Sequence, residues 1–203
     1  MATDFDQKAS TWDDDPDRVE RARVAADAIR QNVPLTPATR LLEYGAGTGL
    51  VAQHLAGDVG SITLADPSNG MREVMAAKIA GGALPSGARV WDLDLTQQPV
   101  PDDRFDLLVT VMTLHHILDL PPVLAGFARM LDHGGHLCVV DLEEEDGSFH
   151  DDDAFEGHHG LARSLLSDLA ERAGFTPPSF QHIYDIDKDG TPYPMFLAVC
   201  RRR

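Results

Sequence analysis

The sequence predicts an α/β fold in which helices cover both faces of a seven-stranded, mostly parallel sheet. Short apolar runs alternate with helical patterns along most of the chain, which is typical of parallel strands joined by helical crossovers. A glycine-rich turn separates the first apolar run from the helix that follows it. The last two apolar runs have no helix between them, which predicts one antiparallel strand near the C-terminus.

The elements follow in order after a polar opening. The first helix is predicted from Pro16 to about Asn32, because a proline follows a run of Asp and apolar residues recur at helical spacing. The predicted strands are Arg40–Tyr44, Ser61–Ala65, Arg89–Leu93, Phe105–Met112, His136–Leu142, Phe180–Ile186 and Pro194–Arg201. The predicted helices between them are Gly49–Leu55, Asn69–Ala80, Pro121–Leu131 and Leu161–Ala173.

Two connections depart from this alternation. The link Asp187–Tyr193 contains Asp189–Gly190 and is too short for a crossover, so the strands that flank it should be antiparallel. Residues 143–160 fit neither a helical nor a strand period, and a loop of that length predicts a lid. We expect residues 1–203 to form a single domain, with residues 1–32 as an N-terminal cap segment and helix.

The composition restricts the classes of partner. Asp and Glu number 33 against 17 Lys and Arg, and the formal net charge is −16. Such a surface repels phosphate groups, which argues against nucleic acid and against a membrane partner. No apolar run approaches the ~18 residues that span a bilayer, and the acidic opening is unlike a leader peptide. Cys138 and Cys200 lie in apolar runs, which predicts buried thiols and a cytoplasmic protein.

The glycine-rich turn is the most informative segment. It reads Gly45-Ala46-Gly47-Thr48-Gly49 and follows the first predicted strand. Glycines at such a turn allow a sharp bend and a close backbone approach to a ligand, because no Cβ is present. The spacing is G-x-G-x-G, which differs from the G-x-G-x-x-G pattern of sites that bind a dinucleotide pyrophosphate.

Acidic residues end the next two predicted strands. Asp66 ends the second strand, where a carboxylate can accept hydrogen bonds from both ribose hydroxyls. Asp94 ends the third strand and precedes Leu95, a combination that suits an adenine amino group and ring face. The alternatives are a helix N-cap for Asp66, which Ser68 could supply instead, and a simple turn residue for Asp94.

In order and spacing these segments resemble a class I S-adenosylmethionine-dependent methyltransferase of the small bacterial kind. The resemblance rests on LLEYGAGTG, LADPS, DLTQQPVPDDRFD, VTVMTLHHILD and RMLDHGGHLCVVD, which together span residues 40–142. It implies a Rossmann-like sheet with a reversed strand near the C-terminus, in agreement with the short final connection. A nicotinamide-dependent dehydrogenase is a weaker alternative, because the glycine spacing and the reversed strand argue against it.

The resemblance implies a site for S-adenosylmethionine, with S-adenosylhomocysteine as product. Glu43 would receive the methionine amino group, Asp66 the ribose hydroxyls, and Asp94 the adenine amino group. Met71 would cover the adenine or belong to the helix core. The implied cofactor-binding residues are Glu43, Tyr44, Gly45, Ala46, Gly47, Gly49, Asp66, Pro67, Met71, Asp94, Leu95 and Thr110. Tyr44 departs from the family, which often has a small or aliphatic residue there.

Candidates for the acceptor side follow the fourth and fifth strands, where open α/β sheets place their ligands. The predicted catalytic residues are His115, His116 and His150, the first two of which could instead only hold the turn. The residues predicted to form the lid of the acceptor site are Phe5, Trp12, Asp141 and Phe149. Asp141 is also a candidate to contact the acceptor or act as base, with a simple strand-end acid as the alternative. Ordinary packing of the first helix is the alternative for the two N-terminal aromatic residues. No metal is expected, since the lid has neither a helix-spaced His pair nor a CxxC element.

The leading hypothesis is methyl transfer to a small-molecule acceptor by in-line displacement. The small acceptor follows from the compact chain, the absence of a basic patch and the short lid. The sequence TVMTL at the end of the fourth strand (Thr110–Leu114) differs from the N-P-P-Y signature of nucleic-acid and protein amide methylating relatives. The alternative hypothesis is a catalytically silent module that binds S-adenosylmethionine in a regulatory or assembly role.

Overall fold

The computed structural model describes residues 4–150 and 155–203. Its strands are β1 (Arg40–Tyr44), β2 (Ser61–Ala65), β3 (Arg89–Trp91), β4 (Phe105–Val111), β5 (Leu131–Leu142), β6 (Ser179–Lys188) and β7 (Thr191–Arg201). Its α-helices are α1 (Asp4–Lys8), α2 (Pro16–Asn32), α3 (Leu50–Leu55), α4 (Asn69–Ala80), α5 (Leu120–Met130) and α6 (Arg163–Ala173). Two 3₁₀ segments, Ala9–Asp14 and Leu114–His116, complete the described elements.

The seven strands form one sheet in the order β3-β2-β1-β4-β5-β7-β6. The first five strands along the chain pair in parallel. Strand β7 runs antiparallel to both of its neighbours, β5 and β6. The predicted sheet with a single reversed strand is therefore confirmed. The hairpin link is shorter than the predicted Asp187–Tyr193, since only Asp189 and Gly190 lie between β6 and β7.

Helices cover both faces of this sheet, as the apolar strands require. Successive residues of β1 show the alternation: Leu41 packs with residues of α2, α3 and α4, whereas Leu42 packs with residues of α5 and α6. Both side chains are almost completely buried. The parallel strands therefore end at one edge of the sheet, and that edge presents the glycine turn and the acidic residues.

The third strand is shorter than predicted. It ends at Trp91 rather than Leu93, so Asp94 lies in the turn beyond the strand instead of at its end. The partner strand β2 ends at Ala65, which pairs with Trp91, so β2 offers no further strand residue for β3 to pair with. The strand β5 also begins at Leu131, earlier than predicted, and its pairing with β4 contains a register shift.

The helical structure of residues 4–14 was not predicted. Neither α1 nor the following 3₁₀ segment is long enough to show an apolar period. Contacts with other elements hold them instead: Oδ1 of Asp6 accepts hydrogen bonds from the Ser68 hydroxyl at 2.6 Å and from the Gly70 N–H at 2.9 Å. The N-terminal segment is thus attached to the start of α4.

Candidate active site

The glycine turn lies at the carboxyl edge of the sheet, between β1 and α3. All three of its glycines have positive φ angles: 68° at Gly45, 54° at Gly47 and 78° at Gly49. A Cβ at Gly45 would lie only 2.3 Å from the Thr113 side chain, whereas the nearest atom to a Cβ at Gly47 is 3.9 Å away, in Trp12. The sequence prediction that this turn requires glycine is supported by both its backbone angles and its close approach.

Asp66 is attached to the glycine turn. Its Oδ2 accepts a hydrogen bond from the Gly47 N–H at 2.8 Å, and its Oδ1 accepts one from the Ser68 N–H at 2.9 Å. Burial raises the pKa of this carboxyl group, and the two backbone hydrogen bonds lower it. The Ser68 hydroxyl is the cap of α4, so Asp66 does not have that role. Each Asp66 oxygen keeps lone-pair capacity for a hydroxyl donor.

Glu43 lies inside the protein at the end of β1. Its Oε2 accepts a hydrogen bond from the Ala52 N–H in α3 at 2.9 Å. Burial raises the pKa of Glu43 to about 8, although the Ala52 hydrogen bond and the charge of Lys78 oppose that shift. A buried carboxyl group with this property would be stabilised in its ionised form by a ligand ammonium group.

Tyr44 connects the end of β1 to the turn that follows β3. Its hydroxyl accepts a hydrogen bond from the Leu95 N–H at 3.1 Å, and its ring meets the edge of Phe127 with centroids 5.0 Å apart. Burial raises the pKa of Tyr44 to about 12. The Leu95 side chain is itself buried, and Gly126 of α5 lies against it. The N–H and side chain of Leu95 thus make contacts within the protein, and a contact with adenine remains a prediction.

The other predicted cofactor residues have differing environments. Oδ1 of Asp94 accepts from both the N–H and the hydroxyl of Thr96, while its Oδ2 has no hydrogen-bond partner among the described residues. Thr110 is buried, and its hydroxyl has no partner in the described part of the chain. Met71 is buried but belongs to neither side of the core, whereas Pro67 is exposed.

This donor and acceptor set fits the predicted cofactor. The turn exposes backbone without Cβ atoms, the Asp66 carboxylate can accept from hydroxyls, and Glu43 can pair with an ammonium group. The Thr110 hydroxyl is a buried polar group with no partner in residues 4–150 and 155–203, a feature that calls for a ligand or water. Ala46 supports the turn, since its N–H donates to the Ala65 carbonyl of β2 at 3.0 Å.

The N-terminal segment crosses this site. Oδ1 of Asp13 accepts from the Thr48 hydroxyl at 2.5 Å, and Oδ2 of Asp13 pairs with Lys78 at 2.5 Å. Phe5 contacts the edge of Trp12 with centroids 5.9 Å apart and that of His116 at 5.4 Å. Trp12 therefore lies beside the glycine turn and Phe5 beside His116, and their contact with an acceptor stays a prediction.

Two predicted residues meet in a buried pair. Nδ1 of His115 lies 2.5 Å from Oδ1 of Asp141, and the His115 N–H donates to Oδ2 at 3.3 Å. The side chains are 1% and 0% exposed. Asp141 therefore lies behind His115 rather than in the wall of an open pocket.

Four rings form a cluster next to this pair, which we call the ring cluster: Phe5, His116, His150 and Phe155. His150 and Phe155 are stacked with centroids 3.6 Å apart at 17°, and His116 lies 5.5 Å from Phe155. Desolvation and the neighbouring His115 and His150 groups lower the pKa of His116, although its side chain keeps contact with solvent. Desolvation likewise lowers the pKa of His150, whose Nε2 is buried and has no hydrogen-bond partner among the described residues.

The predicted lid is described only in part, since residues 151–154 lie outside the described residues. After the gap, the His158 N–H donates to the His115 carbonyl at 2.6 Å, which joins the lid segment to the turn after β4. The ring of Phe149 packs against Tyr193 of β7, with centroids 5.2 Å apart. Phe149 therefore lies towards the β6–β7 hairpin, and its role at an acceptor remains a prediction.

Sequence reasoning missed three of these contributions. The Asp13 bridge was not predicted because the Asp-rich opening was interpreted only as a polar segment. The Tyr44–Leu95 hydrogen bond joins positions far apart in sequence, and Phe155 had no motif of its own. Within the described ranges, no group of three or more His, Cys, Asp or Glu is arranged to hold a metal ion. The described helices include none that is both long and apolar enough to cross a membrane.

Comparison with known proteins gives two kinds of match in sequence. A family model described as a methyltransferase domain matches residues 42–139. The ubiquinone/menaquinone biosynthesis C-methyltransferase UbiE of Vibrio parahaemolyticus is 31% identical over 111 residues, which cover 53% of this chain and 43% of the relative. The UbiE protein of Shewanella oneidensis is 30% identical over a segment of the same length. The chain spans less than half the length of these curated relatives.

Solved structures share the fold at lower identity. A chain in the complex of the Haloferax volcanii Trm112 methyltransferase activator has a TM-score of 0.79 at 18% identity, covering 99% of this chain and 98% of that chain. Phosphoethanolamine N-methyltransferase 2 of Haemonchus contortus, solved with phosphomonomethylethanolamine and S-adenosylhomocysteine, has a TM-score of 0.72 at 13% identity. That match covers 87% of this chain and 52% of the other. Both likenesses concern the fold.

Proposed function

We propose that the chain is a class I S-adenosylmethionine-dependent methyltransferase, since residues 42–139 match a methyltransferase-domain model, and that it transfers a methyl group from this cofactor to a small-molecule acceptor. The observation that carries the proposal is the set of polar groups around the glycine turn. Asp66 binds the turn through Gly47, and the buried carboxyl group of Glu43 lies at the end of the preceding strand. Asp66 suits the ribose of an adenosine, and Glu43 suits the amino group of an amino acid, which are the two ends of S-adenosylmethionine.

The protein's part in the reaction is to bind, orient and exclude water. When bound, S-adenosylmethionine supplies a methyl group on a sulfonium sulfur, which is already a strong electrophile. Glu43 would hold the ammonium group of the methionine part, and Asp66 the ribose hydroxyls. The free Oδ2 of Asp94 would accept from the adenine amino group. The N-terminal segment, fastened through Asp6 and Asp13, would keep water from the site.

A small acceptor is supported by the charge and by the site. The net charge of −16 disfavours nucleic acid, and the ring cluster offers a local, aromatic environment next to the turn after β4. The matched relatives are named as C-methyltransferases of ubiquinone and menaquinone biosynthesis, which makes a hydroquinone the first acceptor to test. The two cysteines are free and buried, which supports the expected cytoplasmic location.

Titration calorimetry with S-adenosylmethionine and S-adenosylhomocysteine tests the cofactor part. We expect binding by the wild type and at least a tenfold loss in Asp66→Ala, which corresponds to about 1.4 kcal/mol. The matched control is Asp103→Ala, which removes an exposed carboxylate paired with Arg89 and should bind like the wild type. Absence of binding by the folded wild type would contradict the proposal.

Turnover separates the enzyme from its silent alternative. Formation of S-adenosylhomocysteine should depend on added acceptor, with naphthohydroquinone as the first probe. A protein that binds the cofactor but yields no product with a broad panel of phenols, amines and thiols would favour the module with a regulatory or assembly role.

A further inference from the structure

The pair formed by His115 and Asp141 has the geometry of a proton acceptor and its orienting carboxylate. Both oxygens of Asp141 face His115, one towards the Nδ1 atom and the other towards the backbone N–H. The Leu142 N–H also donates to Oδ1, at 2.9 Å. The carboxylate is therefore held by three groups, and the imidazole ring is fixed by contacts on its Nδ1 side.

This arrangement selects one form of the neutral imidazole. An ionised carboxylate can only accept hydrogen bonds, so the nitrogen next to it must carry the proton. The lone pair then lies on Nε2 of His115, because the hydrogen bond of one ring nitrogen determines the role of the other. Among the described residues, Nε2 has no hydrogen-bond partner. It is the free basic atom of the pair.

The ring cluster adjoins this ring. The His115 centroid lies 4.1 Å from that of His116 and 5.4 Å from that of His150. The titratable side chains whose rings are shown close to His115 are therefore His116 and His150, in addition to its partner Asp141.

We propose that Nε2 of His115 takes a proton from the methyl acceptor, that Asp141 is its positioning residue, and that the acceptor presents an O–H group to Nε2. The O–H bond of the acceptor breaks, the proton forms a new bond to Nε2, and the electron pair stays on the acceptor oxygen. The resulting imidazolium charge is balanced by Asp141. This inference rests on the proposed function, since it concerns the acceptor of that reaction.

Nitrogen NMR of ¹⁵N-histidine-labelled protein saturated with S-adenosylhomocysteine tests the inference, with 2-naphthol as the probe. We expect His115 to carry its proton on Nδ1, and naphthol to shift the Nε2 resonance. A proton on Nε2, or an Nε2 resonance unchanged throughout the titration, would overturn the proposal. Calorimetry on the same sample separates failure of the proposed function from failure of this inference. Failure to bind S-adenosylhomocysteine overturns the proposed function and this inference with it.

Variants distinguish an orienting carboxylate from a merely structural one. In Asp141→Asn we expect the His115 proton to move towards Nε2 and the naphthol response to disappear, while S-adenosylhomocysteine still binds. The chain offers a matched control in the exposed pair His182–Asp185, whose atoms lie 2.9 Å apart. Asp185→Asn should leave the His115 resonances and their naphthol response unchanged. A naphthol response that persists in Asp141→Asn would contradict the positioning role.

Discussion

The Oδ2 atom of Asp66 accepts a hydrogen bond from the Gly47 N–H at 2.8 Å, so the residue that follows β2 holds the turn that follows β1. The same carboxylate accepts from the Ser68 N–H at the start of α4. One side chain thus fixes the relative positions of the glycine turn and α4, and these are the elements that the N-terminal segment also connects. Substitutions in the turn should therefore affect both folding and cofactor binding.

Gly45→Ala should destabilise the protein and weaken cofactor binding. The residue has a φ of 68°, and a Cβ there would meet Thr113 at 2.3 Å. Backbone strain alone costs about 1–3 kcal/mol, and the clash adds to it. Urea unfolding measures the loss. Gly57→Ala is the control, because a Cβ at Gly57 has no neighbour within 4 Å. Equal unfolding midpoints for the two variants would contradict the prediction.

Glu43 should make stability fall as pH rises through the neutral range. Its pKa is raised from 4.5 to about 8 in the folded protein, so below about pH 4.5 the group is protonated in both states. Between these values only the unfolded chain releases the proton, and the folded state loses stability relative to it with rising pH. Above about pH 8 this effect is complete.

Glu43→Gln removes that dependence, because Gln keeps an acceptor for the Ala52 N–H but does not ionise. As pH rises from about 5 to about 8, the Tm of the wild type should therefore fall relative to that of the variant. Glu73→Gln, on the exposed face of α4, is the control and should show a constant difference. A constant difference for Glu43→Gln as well would refute the role of its buried carboxyl group.

Local patterns predicted most of the fold. The bounds of β1, β2, α2 and α4 agree with the prediction, because apolar period, proline and glycine act over a few neighbouring residues. The predicted end of β3 was wrong, since the apolar pattern continues to Leu93 whereas the partner strand β2 ends at Ala65, opposite Trp91. Period alone does not determine where a buried segment leaves a sheet.

The sequence predicted those parts of the site that directly follow a single strand. The glycine turn and Asp66 belong to local motifs, and the structure brings them together. The pairing of His115 with Asp141 joins residues 26 positions apart, at the ends of adjacent strands. The sequence suggested each of these two residues separately, but side-chain pairing depends on strand order and register, which no local pattern contains.

Tyr44→Phe should destabilise the protein more than its small change in volume suggests. The substitution removes the acceptor of the Leu95 N–H and leaves that buried donor unpaired. Such a loss costs about 1–3 kcal/mol, which urea unfolding can measure. Tyr184→Phe is the control, since its hydroxyl has no hydrogen bond to a described residue and its loss should be nearly neutral. Equal effects of the two substitutions would show that the Tyr44 hydroxyl contributes nothing.

The fluorescence of Trp12 should respond to the cofactor. Trp12 is the nearest residue to a Cβ position at Gly47, whereas Trp91 lies in the edge strand β3, where the guanidinium of Arg89 stacks on it at 4.1 Å. We therefore expect S-adenosylhomocysteine to change the emission of the wild type and of Trp91→Phe. Trp12→Phe should lose the response. A response that follows Trp91 instead would place the ligand elsewhere.

Asp13→Asn should release S-adenosylhomocysteine faster than the wild type does. Asp13 connects the N-terminal segment to Thr48 beside the glycine turn and to Lys78 in α4. Loss of its charge weakens both contacts, and a partly exposed pair of this kind contributes up to about 1 kcal/mol, or roughly fivefold in rate. Stopped-flow measurement of Trp12 emission gives that rate. Asp14→Asn, at the exposed neighbouring position, should dissociate like the wild type. If both variants release the ligand at the wild-type rate, the contacts of Asp13 with Thr48 and Lys78 do not affect dissociation of the ligand. That result would contradict the prediction that the N-terminal segment retains the cofactor.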